Sequence, residues 1–230
     1  MRPTDVEIIR IKQAMAEMWQ LASSQIKKAH EALLSYDTEC AHEVITREKS
    51  VNSYELFIDK ECENFIALFT PVAIDLRFVL SLMKINNNIE RIGDFAEGIA
   101  KYVLLGQKEK IDAELIKSLR LVEMFNEVQA MFELCKKALA AEDTVIAARV
   151  FRKDNLVDEI NRNAVKVLAA YCQEHPEKLE QCFDLYASIR RTERMGDRCV
   201  NIAEDIIFYV DAKELRHTEK KSEKEKMVKE

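Results

Sequence analysis

The sequence predicts an all-α protein made of two tandem, pseudo-symmetric antiparallel three-helix bundles. Three observations carry that prediction. Apolar residues recur at three- and four-residue spacing, as in Ile8, Ile11, Met15, Met18, Ala22 and Ile26, the signature of helices that bury one stripe. Four glycines and three prolines in 230 residues leave almost no material for the tight turns of a β fold. The chain also repeats itself. Glu17-Met18-Trp19 returns as Glu123-Met124-Phe125, and at the same offset Asp37-Thr38, Ala41 and Val44 return as Asp143-Thr144, Ala147 and Val150.

Breakers and caps place the elements in order. A first helix over 5–36 ends at a break with neither Gly nor Pro, located by Asp37, which can cap a second helix over 38–69. Thr70-Pro71 reads as an N-cap followed by proline at the first helical position, opening a third helix over 71–105 that Gly106 closes as a C-cap. The second half mirrors this with helices over 111–141, 143–174 and 176–213, capped at Asp143 and restarted at His175-Pro176. Short connections make each trio up-down-up. The domains are therefore 1–107, 108–215 and a Lys- and Glu-rich tail, 216–230, expected to be frayed or disordered.

Composition narrows the function. Thirty-five basic against 41 acidic residues give a charge of -6, the wrong sign for a nucleic-acid binder. No apolar run reaches membrane-spanning length, and no signal-type core follows Met1, so the chain reads as cytoplasmic. Six cysteines without a C-x-x-C pair read as reduced packing thiols.

One motif stands out. Glu-Arg-x-Gly-Asp occurs at Glu90–Asp94 and again at Glu193–Asp197, and its two acids, four residues apart, share a helix face. Glu97 extends the first face by a turn; Asn201 and Glu204 or Asp205 extend the second. On the preceding helices Glu48 and Asn52, and Asp154 and Asp158, place oxygen-bearing side chains where packing can bring them opposite. Two carboxylates about 6 Å apart repel by about 3 kcal/mol at an effective dielectric near 20. A cation removes that cost. Hard oxygen donors suit Mg, Mn, Ca or Fe, with Zn compatible. The competing reading makes these acids solvated surface charges or salt-bridge partners. Gly93 and Gly196 cost roughly 1 kcal/mol each in mid-helix, so something, a packed helix or a ligand, must approach the backbone there.

With Pro71-Val72-Ala73-Ile74-Asp75-Leu76-Arg77-Phe78 ahead of the first Glu-Arg-x-Gly-Asp element and its echo in the second half, the sequence resembles the PhoU family of phosphate-uptake regulators from about residue 8 to 213. The resemblance implies multinuclear clusters of divalent or trivalent metal (Fe, Zn, Mn or Mg), with ligands falling on Glu48, Glu90, Asp94 and Glu97 in the first half and Asp154, Asp158, Glu193 and Asp197 in the second. Asn52 departs from the carboxylate pattern, and Val200 replaces the counterpart of Glu97. It further implies a non-enzymatic, homodimeric regulator that restrains the phosphate-specific ABC importer and supports its sensor histidine kinase, meeting the membrane only through those partners. Arg91 and Arg194 are expected to flank the clusters, and Asp75 and Arg77 to serve bundle geometry or a partner contact. The rival classes are a ferritin-like di-metal oxidase, for which Glu39-x-x-His42 and Glu214-x-x-His217 are weak candidates, and a phosphotransfer bundle using His30 or His42 as a surface histidine.

Overall fold

A computed structural model describes residues 3–105 and 110–215. Its helices are α1 (Pro3–Ser35), α2 (Thr38–Phe69), α3 (Ala73–Leu105), α4 (Ala113–Ser118), α5 (Leu121–Ala141), α6 (Thr144–Glu174) and α7 (Leu179–Asp211), with a 3₁₀ turn at Pro176–Lys178. No strand occurs among the described residues. Helices α1, α2 and α3 pack on one another, as do α5, α6 and α7, giving the two bundles that the duplication predicts.

The break between the first two helices of each half is built the same way twice. Tyr36 (φ 59°) and Glu142 (φ 53°) take the left-handed conformation, and the next residue's N–H reaches back to Ala32 or Ala138, closing the helix. That next residue is the capping aspartate. Asp37 accepts from the N–H groups of Glu39 and Cys40 at 2.9 and 3.0 Å, and Asp143 from those of Val145 and Ile146 at 2.8 and 3.0 Å.

Three boundaries differ from expectation. Thr70 does not open α3; it closes α2 with φ 47° and donates its N–H to Ile66, so Pro71 and Val72 form a connector and α3 starts at Ala73. The helix expected over 111–141 is two helices, interrupted where Arg120 turns left-handed (φ 54°) and spreads its guanidinium over Glu123 and Glu159. The expected start at Pro176 is a single 3₁₀ turn before α7. Gly106 and the tail lie outside the described residues.

The bundles meet along α3 and α7, which run antiparallel: Arg77 donates to the Tyr209 carbonyl at 3.3 Å, Lys84 lies 3.9 Å from Asp205, and Arg191 donates to the Tyr102 hydroxyl at 2.9 Å. Arg77 is thus a bundle-geometry residue. Helices α1 and α5 add a second seam, where Trp19 stacks on Phe132 and His30 on Phe125. His30 is buried, and desolvation pushes its imidazole down to about 3, so it is a neutral packing ring and not the surface histidine expected. All six cysteines are free thiols, as expected.

Candidate metal centre

The centre is assembled where α2 crosses α3. Glu48 projects from the buried face of α2, which also carries Val44 and Val51, and is only 4% exposed. Glu90 and Asp94 sit one turn apart on α3. Oxygens of Glu48, Glu90 and Asp94 all lie within 4.8 Å of one another. Oxygens that share one hard cation at bond lengths of about 2.0–2.5 Å are separated by up to about 5 Å, so the triad is already at coordination distance.

The glycine of the motif makes this approach possible. A Cβ on Gly93 would stand 2.8 Å from Glu48 Oε2 and 3.2 Å from Gln25 Oε1. The second half repeats the device: a Cβ on Gly196 would stand 3.1 Å from Asp154 Oδ1. What approaches the backbone is a carboxylate from the facing helix, the packed-helix alternative with an acid as its point of contact.

Electrostatics in the triad are unresolved by protein alone. Glu48 Oε2 accepts from Gln25 Nε2 at 2.7 Å, while Glu48 Oε1 is buried without a hydrogen-bond partner. Glu90 Oε2 is likewise buried and unbonded, although the Arg91 guanidinium stands 3.6 Å away. Burial, reinforced by the neighbouring acids, pushes Glu48 and Glu90 each up to about 7. Buried carboxyls with orphaned oxygens and acidic neighbours fit a cation better than they fit protons or water. Arg91 also pairs with Asp94 at 3.1 Å and so flanks the triad.

The other expected ligands fall as follows. Glu97 is one turn beyond the triad; it pairs with Lys101, and its charge still reaches Glu48. Asn52 is exposed. In the second half Asp154 is fully buried on α6, with Asp158 half-buried one turn on, facing Glu193 and Asp197 on α7. Burial raises Asp158, Glu193 and Asp197 above the usual carboxylate range; Asp197 and Asp158 push Glu193 further up, and Asp158 does the same to Asp197. Glu193 Oε2 is buried without a hydrogen bond, and Arg190 lies 3.4 Å from its other oxygen. Among the described residues these four do not converge as tightly as the first triad. Asp205 does not extend this face but turns toward Lys84 of α3.

Gln25 was not foreseen. It lies on the core stripe of α1, 0% exposed, and a buried amide in an otherwise apolar stripe is the sequence signal that could have found it. Glu39 and His42 are exposed on the first turns of α2, apart from the triad, and His217 lies outside the described residues.

The sequence matches the family model described as PhoU domain twice, over residues 15–103 and 121–206. It is 31% identical over 213 residues to the phosphate-specific transport system accessory protein PhoU of Escherichia coli strain K12, covering 93% of this chain and 87% of that protein. The corresponding protein of Edwardsiella tarda is 31% identical over 215 residues, 93% and 86% of the two chains. Among solved structures, PhoU from Pseudomonas aeruginosa superposes with a TM-score of 0.82 at 27% identity, covering 91% of this chain and 99% of that one. The phosphate transport system regulatory protein PhoU from Streptococcus pneumoniae gives 0.81 at 26%, covering 91% and 98%. Two matched domains, laid over the two bundles and each containing one Glu-Arg-x-Gly-Asp element, place this chain in the PhoU family.

Proposed function

We propose that this chain regulates phosphate transport: it restrains a phosphate-specific ABC importer and, through the associated sensor histidine kinase, keeps phosphate-starvation genes silent when phosphate is plentiful. The carrying observation is the pair of PhoU domains spanning both bundles, in relatives named as accessory and regulatory proteins of phosphate transport. The role is exercised at the cytoplasmic side of the membrane, as a homodimer; no described helix is long and apolar enough to cross a bilayer. Within this reading the triad Glu48, Glu90 and Asp94 holds a divalent or trivalent cation, with Glu97 supplementing it, and Asp154, Asp158, Glu193 and Asp197 form the second, looser site. Bound metal neutralises acids that otherwise repel across helix crossings, so the metal acts as a structural brace of the surface offered to partners and takes part in no reaction.

Deleting the gene is expected to derepress phosphate uptake and starvation-gene expression in phosphate-rich medium; normal uptake together with normal expression would overturn the regulatory reading. The metal assignment is tested apart from it. Elemental analysis of Glu48→Gln/Glu90→Gln and of Glu193→Ala/Asp197→Ala should show metal lost from the first and second bundle respectively, and wild-type content in both variants would remove the metal from the account.

A further inference from the structure

The open end of the second bundle brings two sulfur atoms together. Cys172 lies in the last turn of α6 and Cys182 in the first turn of α7, with Pro176–Lys178 between them. Antiparallel helices joined by a short turn bring residues equally distant from that turn to the same level, and the Cys172 thiol lies near enough to help push the Cys182 thiol up. Both line a cleft of about 310 Å³ with Val165, Leu168, Phe183 and Tyr186. Half or more of Val165, Leu179 and Phe183 is exposed, so the cleft opens to solvent.

A second sulfur pair in the same bundle provides the contrast. Cys135 donates to the Cys199 carbonyl at 3.2 Å, but both residues are 0% exposed in the centre of the core. No reagent reaches them without unfolding. Cys172 is half-buried, and the cleft gives it an approach from solvent.

We propose that Cys172 and Cys182 form a reversible dithiol–disulfide site, oxidised by low-molecular-weight disulfides that enter through this cleft. The Cys172 thiol loses its proton to water, and its thiolate attacks one sulfur of the small disulfide. A mixed disulfide forms on Cys172, and one small thiolate leaves. The Cys182 thiol then loses its proton, its sulfur attacks that of Cys172, and the second small thiolate leaves. Two protein thiols are oxidised to one disulfide, the small disulfide is reduced to two thiols, and the released protons balance them. Sulfurs at the facing ends of two antiparallel helices, on one cleft, have a short path to the roughly 2.05 Å bond. Cys172, half-buried on the cleft, is the sulfur a small disulfide reaches first, whereas Cys182 is only 4% exposed and burial pushes its thiol up to about 12. The closed ring staples α6 to α7 at the end of the bundle.

The test uses the full chain, exposed to excess oxidised glutathione, quenched with acid, denatured and titrated for thiols. The six thiols should fall by two, to four, with Cys172 linked to Cys182 in the peptide map and full recovery in dithiothreitol. Cys182→Ser should stop at one glutathione on Cys172, and Cys172→Ser should remain largely unmodified. Six thiols retained in the wild type, a linkage through any other cysteine, or the same loss of two thiols from Cys172→Ser/Cys182→Ser would overturn the proposal.

Discussion

Glu48 and Glu90 are held in a protonation regime that ordinary surface acids do not share. Each carboxyl is pushed up to about 7 by burial and acidic neighbours, against 4.5 in an unfolded chain. For an acid whose folded value is raised, the folded state binds more protons than the unfolded state between the two values. Stability is then complete below about pH 4.5, falls as pH rises, and is lost above about 7. For Glu48, which is almost fully buried, the loss is on the order of 2 kcal/mol. Buried His30, held down to about 3, makes stability rise with pH up to about 6.5, so the carboxyl is read by difference: between pH 5 and pH 7.5 the thermal midpoint of the metal-free wild type should fall relative to that of Glu48→Gln. A cation restores the midpoint at the upper end because it replaces the protons. A midpoint difference between metal-free wild type and Glu48→Gln that stays constant over that interval would show that the Glu48 carboxyl ionises normally.

Helix crossings explain why the motif carries glycine. At α2–α3 and again at α6–α7, the acid of one helix rests against the backbone of the next, and the missing Cβ is the space it occupies. Gly93→Ala gains about 1 kcal/mol of helix propensity but sets a methyl group 2.8 Å from Glu48 Oε2, so Glu48 must withdraw from Gln25 and from the triad. Its stability should change by less than about 1 kcal/mol while metal affinity drops roughly tenfold or more, read by thermal denaturation and metal titration. At Gly196 the nearest oxygen is 3.1 Å away, and a shift of a few tenths of an ångström relieves the contact. Gly196→Ala should leave the thermal midpoint unchanged or raise it. Equal metal affinity in Gly93→Ala and wild type would separate the glycine from the site. The sequence announced that these positions were special, because half of the chain's glycines fall on one motif, but it left packed helix and ligand open as alternatives. Only the crossing geometry shows that the neighbour is Glu48 or Asp154. The Arg120 break stayed hidden for a similar reason: a left-handed residue without Gly, Pro or Asn has no local signature, and its stabilising partner Glu159 is distant in sequence.

At the scale of the molecule, duplication was legible and docking was not. Register matches such as Asp37 with Asp143 specify two like bundles, yet nothing in those matches says that α3 lies antiparallel to α7. That arrangement rests on side chains unique to one half. Arg191 reaches from α7 across the face of Tyr102, its guanidinium carbon 4.6 Å from the ring centre, and donates to the hydroxyl at 2.9 Å. It passes over Gly98, where a Cβ would stand 2.4 Å from Arg191 Nε and 2.9 Å from Cδ. Gly98 has no glycine counterpart at the matching place in α7, so its role belongs to the seam. At the far end Tyr209 donates to Glu142 at 2.9 Å, and Lys12 pairs with the same carboxylate at 3.2 Å, tying α1, α5 and α7 together. Two bundles joined through such a seam unfold as one unit only while both ends hold. Gly98→Ala, despite a better helix former, should therefore destabilise the chain by about 1–2 kcal/mol by displacing the guanidinium from Tyr102. Calorimetry should show the single transition broaden or split, whereas Arg191→Ala/Gly98→Ala, with the clash removed, should recover most of the helix-propensity gain relative to Arg191→Ala. If Gly98→Ala proves as stable and as cooperative as wild type, the guanidinium contributes nothing to holding the bundles together, and the remaining contacts of α3 with α7 and of α1 with α5 carry the seam.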